Sequence, residues 1–261
     1  MRRAAFGPLL LLSACTSGRE SPLVRLEASA FRFSAIDTVS AGPVRIRLVN
    51  RDPVWHEASV IRVSDSAATI ADYIKAVQGG DEYPAFAHDV GGVGLLAPGD
   101  SADVVLMLPA GRYAILCWHQ DHLLQGMSTM LQVIADDRQA VPPITTDSVV
   151  LTDTGISPVA PGAGRRLLHV RNDGPNEHEL VILALDAGRS LDEWLAWRKA
   201  GEVGPAPGRT IGGTAALAPG REAWVDVSWT PGRYEMICLL TDSTGAELVH
   251  RGMQRTIEIR D

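Results

Sequence analysis

The sequence predicts an all-β protein made of two tandem Greek-key β-sandwich domains, each with one short helical insertion. Two observations support this prediction: short apolar or alternating segments separated by turns, and an internal repeat with an offset of about 121 residues. The chain has 261 residues, of which 46% are hydrophobic and 21% charged. This length and composition suffice for real hydrophobic cores and exclude disorder throughout the chain.

The internal repeat aligns most of the two halves in the same order. Leu48-Val49-Asn50 matches Val170-Arg171-Asn172, and His56-Glu57 matches His178-Glu179. Other matches are Gly91-Gly92 with Gly212-Gly213, Leu96-Ala97-Pro98-Gly99 with Leu217-Ala218-Pro219-Gly220, Gly111-Arg112-Tyr113 with Gly232-Arg233-Tyr234, Cys117 with Cys238, and Gly126-Met127 with Gly252-Met253. We therefore predict domains over 22–136 and 147–261, joined by a stiff linker over 137–146 that contains Pro142-Pro143.

Each unit is mostly strand by its residue pattern. Val44, Ile46 and Leu48 alternate with Arg45 and Arg47, which is typical of a strand with one buried face. Further strands are predicted at Val104 to Leu108, Tyr113 to Cys117 and Met130 to Ile134 in the first unit, and at Leu167 to Val170, Leu180 to Leu185, Ala223 to Trp229, Tyr234 to Leu239 and Gln254 to Ile259 in the second. Turn sequences such as Ala97-Pro98-Gly99-Asp100 separate these strands.

One helix is predicted in each unit. In the first unit Ile70, Tyr73, Ile74 and Val77 have helical spacing, and Gly79-Gly80 ends the segment. The corresponding helix of the second unit carries Leu191, Trp194 and Leu195. It begins with the capping box Ser190-x-x-Glu193 and ends before Gly201.

The amino terminus has the pattern of an export signal. Met1-Arg2-Arg3 precedes an apolar stretch that is too short to span a bilayer. Leu12-Ser13-Ala14-Cys15 resembles the bacterial lipobox, which implies a lipoprotein signal peptide over 1–14, lipidation of Cys15 and a lipidated tether over 15–21. The alternative is a conventional signal peptide in which Cys15 is an ordinary residue. We expect an exported protein, lipid-anchored to the cell envelope on its periplasmic or extracytoplasmic face.

Charge excludes one class of partner. The formal net charge is −7, and removal of Arg2 and Arg3 with the signal peptide makes the mature chain more acidic. An acidic chain repels the phosphate backbone, so we predict no nucleic-acid binding. We expect contact with the membrane only through the lipid anchor.

The first unit contains a metal-ligand spacing. His56 lies far upstream of the run Cys117-x4-His122-x4-Met127, near the end of the unit. The pattern resembles that of the cupredoxin family, the blue copper proteins typified by plastocyanin and azurin. The resemblance implies one copper ion per chain held by His56, Cys117 and His122, with Met127 as a distant axial ligand, and it extends in fold to both copies.

These residue types suit copper on chemical grounds. Thiolate and thioether favour Cu(I), and imidazole favours Cu(II), so a site with both kinds of donor serves an electron carrier. The alternative interpretation is that Cys117 and Met127 are core residues and the two histidines face solvent. His119 is the nearest competitor as a ligand, whereas His88 and His169 have no partner in the pattern.

The second unit departs from this spacing. His178, Cys238 and Met253 match the first unit, but Leu248 stands five residues before the methionine, where the first unit has His122. His250 follows after a longer loop. We expect a degenerate copy. If the second unit binds a second copper ion, its ligand set is His178, Cys238, His250 and Met253.

Catalysis is the last alternative. Two-domain proteins of this family include copper nitrite reductases and small laccases, which need histidines beside the cysteine or in His-x-His pairs. Leu116 and Trp118 flank Cys117, and Ile237 and Leu239 flank Cys238, so we predict no enzyme. The sequence favours an electron carrier that docks to a redox partner with a basic patch. The other interpretations are a module for copper binding or delivery and a metal-free binding or structural module.

Overall fold

The computed structural model describes residues 21–34, 38–81, 84–136 and 141–260. The predicted signal peptide, Cys15 and the first part of the predicted linker lie outside the described residues. None of the helices within these ranges is both long and apolar enough to cross a membrane.

The predicted all-β class is confirmed. The first unit contains nine strands: β1 (Leu23–Ser29), β2 (Arg32–Phe33), β3 (Thr38–Ser40), β4 (Gly42–Asn50), β5 (His56–Val63), β6 (Ala87–Leu96), β7 (Ser101–Leu108), β8 (Gly111–Leu116) and β9 (Ser128–Ile134). The second contains eight: β10 (Asp147–Thr152), β11 (Gly155–Ile156), β12 (Gly164–Asn172), β13 (His178–Leu185), β14 (Gly208–Leu217), β15 (Glu222–Trp229), β16 (Gly232–Ile237) and β17 (Gln254–Ile259).

Both predicted helices are confirmed. Helix α1 (Ile70–Gln78) begins at a capping box formed by Thr69 and Asp72, and helix α2 (Leu191–Lys199) begins at the predicted box of Ser190 and Glu193. These boxes satisfy backbone N–H groups that have no partner in the first turn of a helix. Short 3₁₀ segments cover His119–Gln125 and Leu248–Arg251.

Two large sheets form the sandwich, and each contains strands of both units. The first sheet has the order β11-β10-β12-β15-β7-β4-β1-β2, and the second has the order β17-β16-β13-β14-β6-β5-β8-β9-β3. The units are therefore joined edge to edge, at β15 with β7 and at β14 with β6. The sequence did not predict this fusion of the sheets.

The junction between the units has approximate two-fold symmetry. Val225 pairs with Val104, its equivalent in the repeat, while Ala223 pairs with Leu106 and Asp226 with Asp103. In the other sheet Thr214 pairs with its equivalent Val93. Because equivalent strands pair antiparallel with each other, the two copies pack like the subunits of a symmetric dimer.

A hydrophobic core runs between the sheets through both units. Leu26, Ile46 and Leu48 of the first unit and Leu168 and Val170 of the second are fully buried in it. Their alternation with less buried neighbours agrees with the period of two expected for strands that have one face in the core. The ends of these strands position the site.

Two predicted strands, one in each unit, end earlier than expected. The strand predicted over Tyr234 to Leu239 covers Gly232–Ile237. The strand predicted to run from Tyr113 through Cys117 covers Gly111–Leu116 instead, so Cys117 lies just beyond its end. The backbone N–H of Cys117 donates to the carbonyl of Met127 at 3.2 Å. This bond directs the cysteine into the loop that leads to the methionine.

Candidate metal centre

Three of the predicted ligands of the first unit lie together at one end of the sandwich. His56 is the first residue of β5, Cys117 follows β8, and His122 lies in the 3₁₀ segment. One donor atom from each of the three residues lies within 4.8 Å of the others. The Sγ atom of Cys117 is 3.6 Å from Nδ1 of His56 and 3.5 Å from Nδ1 of His122, and the two Nδ1 atoms are 3.1 Å apart.

The site is enclosed by protein. His56 and Cys117 are fully buried, and His122 is 2% exposed. Two imidazole nitrogens and a sulfur aimed at one point, away from water, form a group that can hold a metal ion. A bound ion would satisfy the two Nδ1 atoms, which otherwise face each other and the Cys117 sulfur.

Burial and charge keep the imidazoles in the form that binds metal. Burial lowers the pKa of His56, although Asp52 opposes the shift. Burial, together with the neighbouring His56 and His119, lowers the pKa of His122 to about 4. Neutral imidazole has a free lone pair, so both rings are suited to coordinate.

The cysteine needs a metal to ionise. Burial and the nearby Glu57 raise the pKa of the Cys117 thiol to about 12. A thiolate in this environment therefore requires a compensating positive charge, which a bound cation supplies.

Backbone hydrogen bonds fix the loop that carries Cys117, His122 and Met127. The N–H of Met127 donates to the carbonyl of His122 at 3.0 Å, next to the bond between Cys117 and Met127. Gly126 has a φ of 94°, a left-handed conformation that glycine adopts without strain. The loop is thus closed on itself by its own backbone hydrogen bonds.

Met127 is placed beside the cysteine by its backbone. Its side chain is fully buried in the same hydrophobic core as Cys117. The role of distant axial ligand remains a prediction.

Sequence reasoning missed the residues that surround these ligands. Asp52 accepts a hydrogen bond from Nε2 of His56 at 3.0 Å and also accepts from the N–H groups of Ala30 and Phe31. The Phe31 ring meets the His122 ring edge to face, with their centroids 4.9 Å apart. Phe31 lies far from the ligand motif in the sequence, so no local signal indicated its position.

The buried Asn50 fixes the approach of the chain to His56. Its side-chain amide donates to the carbonyls of Val54 and Leu96 at 2.8 and 3.1 Å. The repeat identified Asn50, but only the structure shows that it ties the segment before His56 to the end of β6.

His119 is directed away from the group. Its Nε2 atom lies 2.9 Å from the carboxylate of Glu202, in the second unit. Both side chains are nearly buried. This competitor for the metal is therefore an interdomain contact.

The second unit does not assemble the four-residue set proposed for it. His178, Cys238 and Met253 are fully buried, but the side chain of His250 is 60% exposed and lies 3.7 Å from Glu247. The N–H of Met253 donates to the carbonyl of Leu248, as that of Met127 does to His122. Leu248 therefore takes the place of His122, and the assignment of His250 as a ligand is not supported by its position.

The fold and the site together define a class of protein: a Greek-key β-sandwich with a buried His-Cys-His group at one end, formed by the last loop and an upstream strand. The chain folds as two tandem β-sandwich units that share their sheets, and the first unit carries the His-Cys-His group. No family model and no curated protein sequence matches it.

Solved structures similar to the chain include blue copper proteins and copper nitrite reductases. Reduced auracyanin from Roseiflexus castenholzii matches with 19% identity over 44% of this chain and 98% of its own, with a TM-score of 0.34. An azurin from Methylomonas sp. strain J matches with 13% identity over 44% and 98%, with a TM-score of 0.32. Copper nitrite reductase from Nitrosomonas europaea matches with 13% identity over 93% and 95%, with a TM-score of 0.28.

Proposed function

We propose that the protein is an exported electron carrier that uses one copper ion in its first unit. The ligands are His56, Cys117 and His122, with Met127 as the axial ligand. The observation that supports this proposal is the convergence of the three donor atoms in a buried site.

The arrangement suits electron transfer because it is held in place by the fold. Bound copper would supply a one-electron couple, Cu(I)/Cu(II). The donors combine a thiolate, which favours the reduced ion, with imidazoles, which favour the oxidised one. Asp52 orients His56, and the loop hydrogen bonds orient the other two ligands, so the side chains need not move when the charge changes.

The positions of the other histidines favour a carrier over an oxidase or nitrite reductase. All seven histidines lie in the described part of the chain. His88 is exposed, His169 stacks on Trp224, and His119 pairs with Glu202. None of these joins another histidine in a second cluster of metal-binding groups within the described ranges.

The cellular location of the protein and the charge of its redox partner are proposed from the sequence. We propose that Cys15 carries the lipid anchor and that the folded units lie outside the cytoplasm. The acidic chain, with a formal net charge of −7, favours a redox partner that has a basic docking patch. Because exposed charges are screened by salt, the rate of association should fall as ionic strength rises.

A spectroscopic experiment on the full chain tests the function. Copper-loaded protein should show an intense visible thiolate-to-copper band that bleaches on reduction and returns on oxidation. Cys117→Ser should abolish the band, whereas Cys238→Ser, the matched change in the second unit, should retain it. A colourless protein with less than one copper per chain would contradict the proposal and favour a metal-free module. A band that does not cycle would favour copper storage or delivery.

A further inference from the structure

We infer that Phe31 is a positioning residue that closes the metal site of the first unit to water and small ligands on the side of its two histidines. This inference rests on the proposed function, because it concerns the site that His56, Cys117 and His122 form. Phe31 lies in the turn between β1 and β2, far in the sequence from the loop that carries two of these ligands.

The Phe31 ring packs on both imidazoles. Its centroid lies 4.9 Å from that of His122 and 6.0 Å from that of His56, and the rings meet edge to face at interplanar angles of 76° and 83°. His56 is fully buried and His122 is 2% exposed, whereas Phe31 is half-buried. The phenyl ring therefore lies between the two histidines and solvent.

The backbone of the turn that carries this ring is strained. Ala30 has a φ of 51° and Phe31 a φ of 55°, so two consecutive residues with a Cβ adopt the left-handed conformation. Turns of this shape favour asparagine and glycine. Strain of this kind persists only where the surrounding structure offsets it, and it is common at functional sites. The conformation of the turn places the Phe31 side chain against the histidines.

Asp52 holds both the strained turn and one of the histidines. Its carboxylate accepts hydrogen bonds from the N–H groups of Ala30 and Phe31, at 2.7 and 3.2 Å, and lies 3.0 Å from Nε2 of His56. Hydrogen bonds to an ionised carboxylate are stronger than those between neutral groups, so they offset the strain of the turn. One side chain thus fixes the ring and an imidazole that the ring covers.

The second unit shows what the same hairpin looks like beside an incomplete ligand set. Asp153 and Thr154 occupy the two turn positions between β10 and β11, and neither has a positive φ. Asp153 itself lies 2.8 Å from Nε2 of His178, and Leu248 stands in the place of His122. Of these two turns, only the one beside a pair of histidines is strained and carries an aromatic ring.

Closure on the side of the histidines suits an electron carrier. The apolar surroundings of a metal site control the access of solvent and small ligands to it. A phenyl ring has no polar atom that could pair with an incoming water molecule or anion, so Phe31 excludes both from the side of His56 and His122. The donor set then consists of groups from the chain alone and stays the same in both oxidation states.

Two glycine variants separate the ring from the strained turn. Glycine adopts a positive φ without strain, so both Ala30→Gly and Phe31→Gly are compatible with the turn. Phe31→Gly removes the ring, whereas Ala30→Gly retains it and is the matched control. Near-ultraviolet circular dichroism of the full chains checks that both variants fold.

Azide titration of the full chain loaded with Cu(II) tests the inference. We expect azide to add a new absorption band and to shift the thiolate-to-copper band in Phe31→Gly. At the same azide concentrations the spectra of wild type and Ala30→Gly should not change. If wild type shows the thiolate band and azide leaves Phe31→Gly unchanged, the inference is overturned and the proposed function stands. Equal responses in the two glycine variants would also overturn it, because the protection would then come from the turn and not from the ring.

Labelling of the metal-free full chain gives a readout that does not depend on copper. Diethyl pyrocarbonate modifies accessible imidazoles, and mass spectrometry of the peptides assigns the modified residue. His122 should be labelled several-fold faster in Phe31→Gly than in wild type and at the wild-type rate in Ala30→Gly. Equal rates in wild type and Phe31→Gly would contradict the inference. A wild-type chain without a thiolate band refutes the proposed function, and this labelling then still decides whether Phe31 covers the histidines.

Discussion

The carboxylate that orients the upstream histidine comes from different parts of the chain in the two units. Asp52 follows β4 in the first unit, whereas Asp153 lies in the turn between β10 and β11 in the second. Gly174 occupies the position that matches Asp52, and a Cβ there would lie 2.8 Å from both Asp153 and His178. The contact is retained although the residue that makes it has moved.

Asp52→Asn is expected to weaken copper binding at the first site by about 10- to 100-fold, because the charged acceptor that fixes the His56 ring is lost. Competition with a chelator on the Cys238→Ser background measures this affinity. The matched change Asp153→Asn on the same background should leave it unaltered. Equal losses in the two variants would show that the effect is not local to His56.

At this scale the sequence predicted the three side chains that converge better than it predicted their surroundings. His56, Cys117 and His122 could be predicted because the chemistry requires particular residue types at a characteristic spacing. Asp52 and Phe31 could not, since a carboxylate or a ring can reach the site from several loops, as the two units demonstrate.

At the scale of elements, the strands that carry the ligands depend on close backbone approach. Gly92 in β6 has a φ of 147°, and a Cβ there would lie 2.1 Å from the carbonyl oxygen of Ala58 in β5. Gly213 makes the same approach to Leu180 in the second unit, also at 2.1 Å. This explains why the glycine pairs recur in the repeat.

Gly92→Ala and Gly213→Ala should each lower the free energy of unfolding by about 3 kcal/mol or more, because the backbone must move to relieve the clash. Only Gly92→Ala is expected to weaken copper binding at the first site, since Ala58 lies two residues from His56 in β5. Chemical denaturation and copper titration of the two variants give both quantities. If Gly213→Ala weakened copper binding at the first site as much as Gly92→Ala does, the link between Gly92 and the position of His56 would be contradicted.

The repeated Gly-Arg-Tyr segments show what a sequence match can predict about an element. Tyr113 donates its hydroxyl to the carbonyl of Pro109 at 2.7 Å, and Tyr234 donates to that of Thr230 at 2.9 Å. The match predicted that these strands are equivalent. Their hydrogen bonds depend on the shape of the preceding turn, which the residue pattern does not specify.

At the scale of the whole molecule, the second unit supports the metal loop of the first. Glu202 reaches His119, whose ring is 5.6 Å from that of His122. Trp55, next to His56, packs against Trp194 and Trp197 of the second unit. The repeat predicted two copies, but neither this contact nor the shared sheets. The strands at the junction have residue patterns that would also suit two separate sandwiches, so the patterns alone do not show that their edges pair.

Glu202→Gln should speed the loss of copper from the first site to a chelator, by up to about tenfold, because the loop loses a charged hydrogen bond. Glu222→Gln is the matched control, since Glu222 makes a similar 2.8 Å contact with His169 within the first sheet. The rate should not change in the control. A Glu202→Gln chain that releases copper as slowly as wild type would show that the second unit does not restrain the loop.

The central claim is that two imidazoles and one thiolate of the first unit share one copper ion. X-ray absorption at the copper edge of the loaded Cys238→Ser chain, which leaves only the first site, tests it most directly. We predict one sulfur from Cys117 and two imidazole nitrogens, with little change between the oxidised and reduced states. A shell without sulfur, or one that rearranges on reduction, would contradict the account.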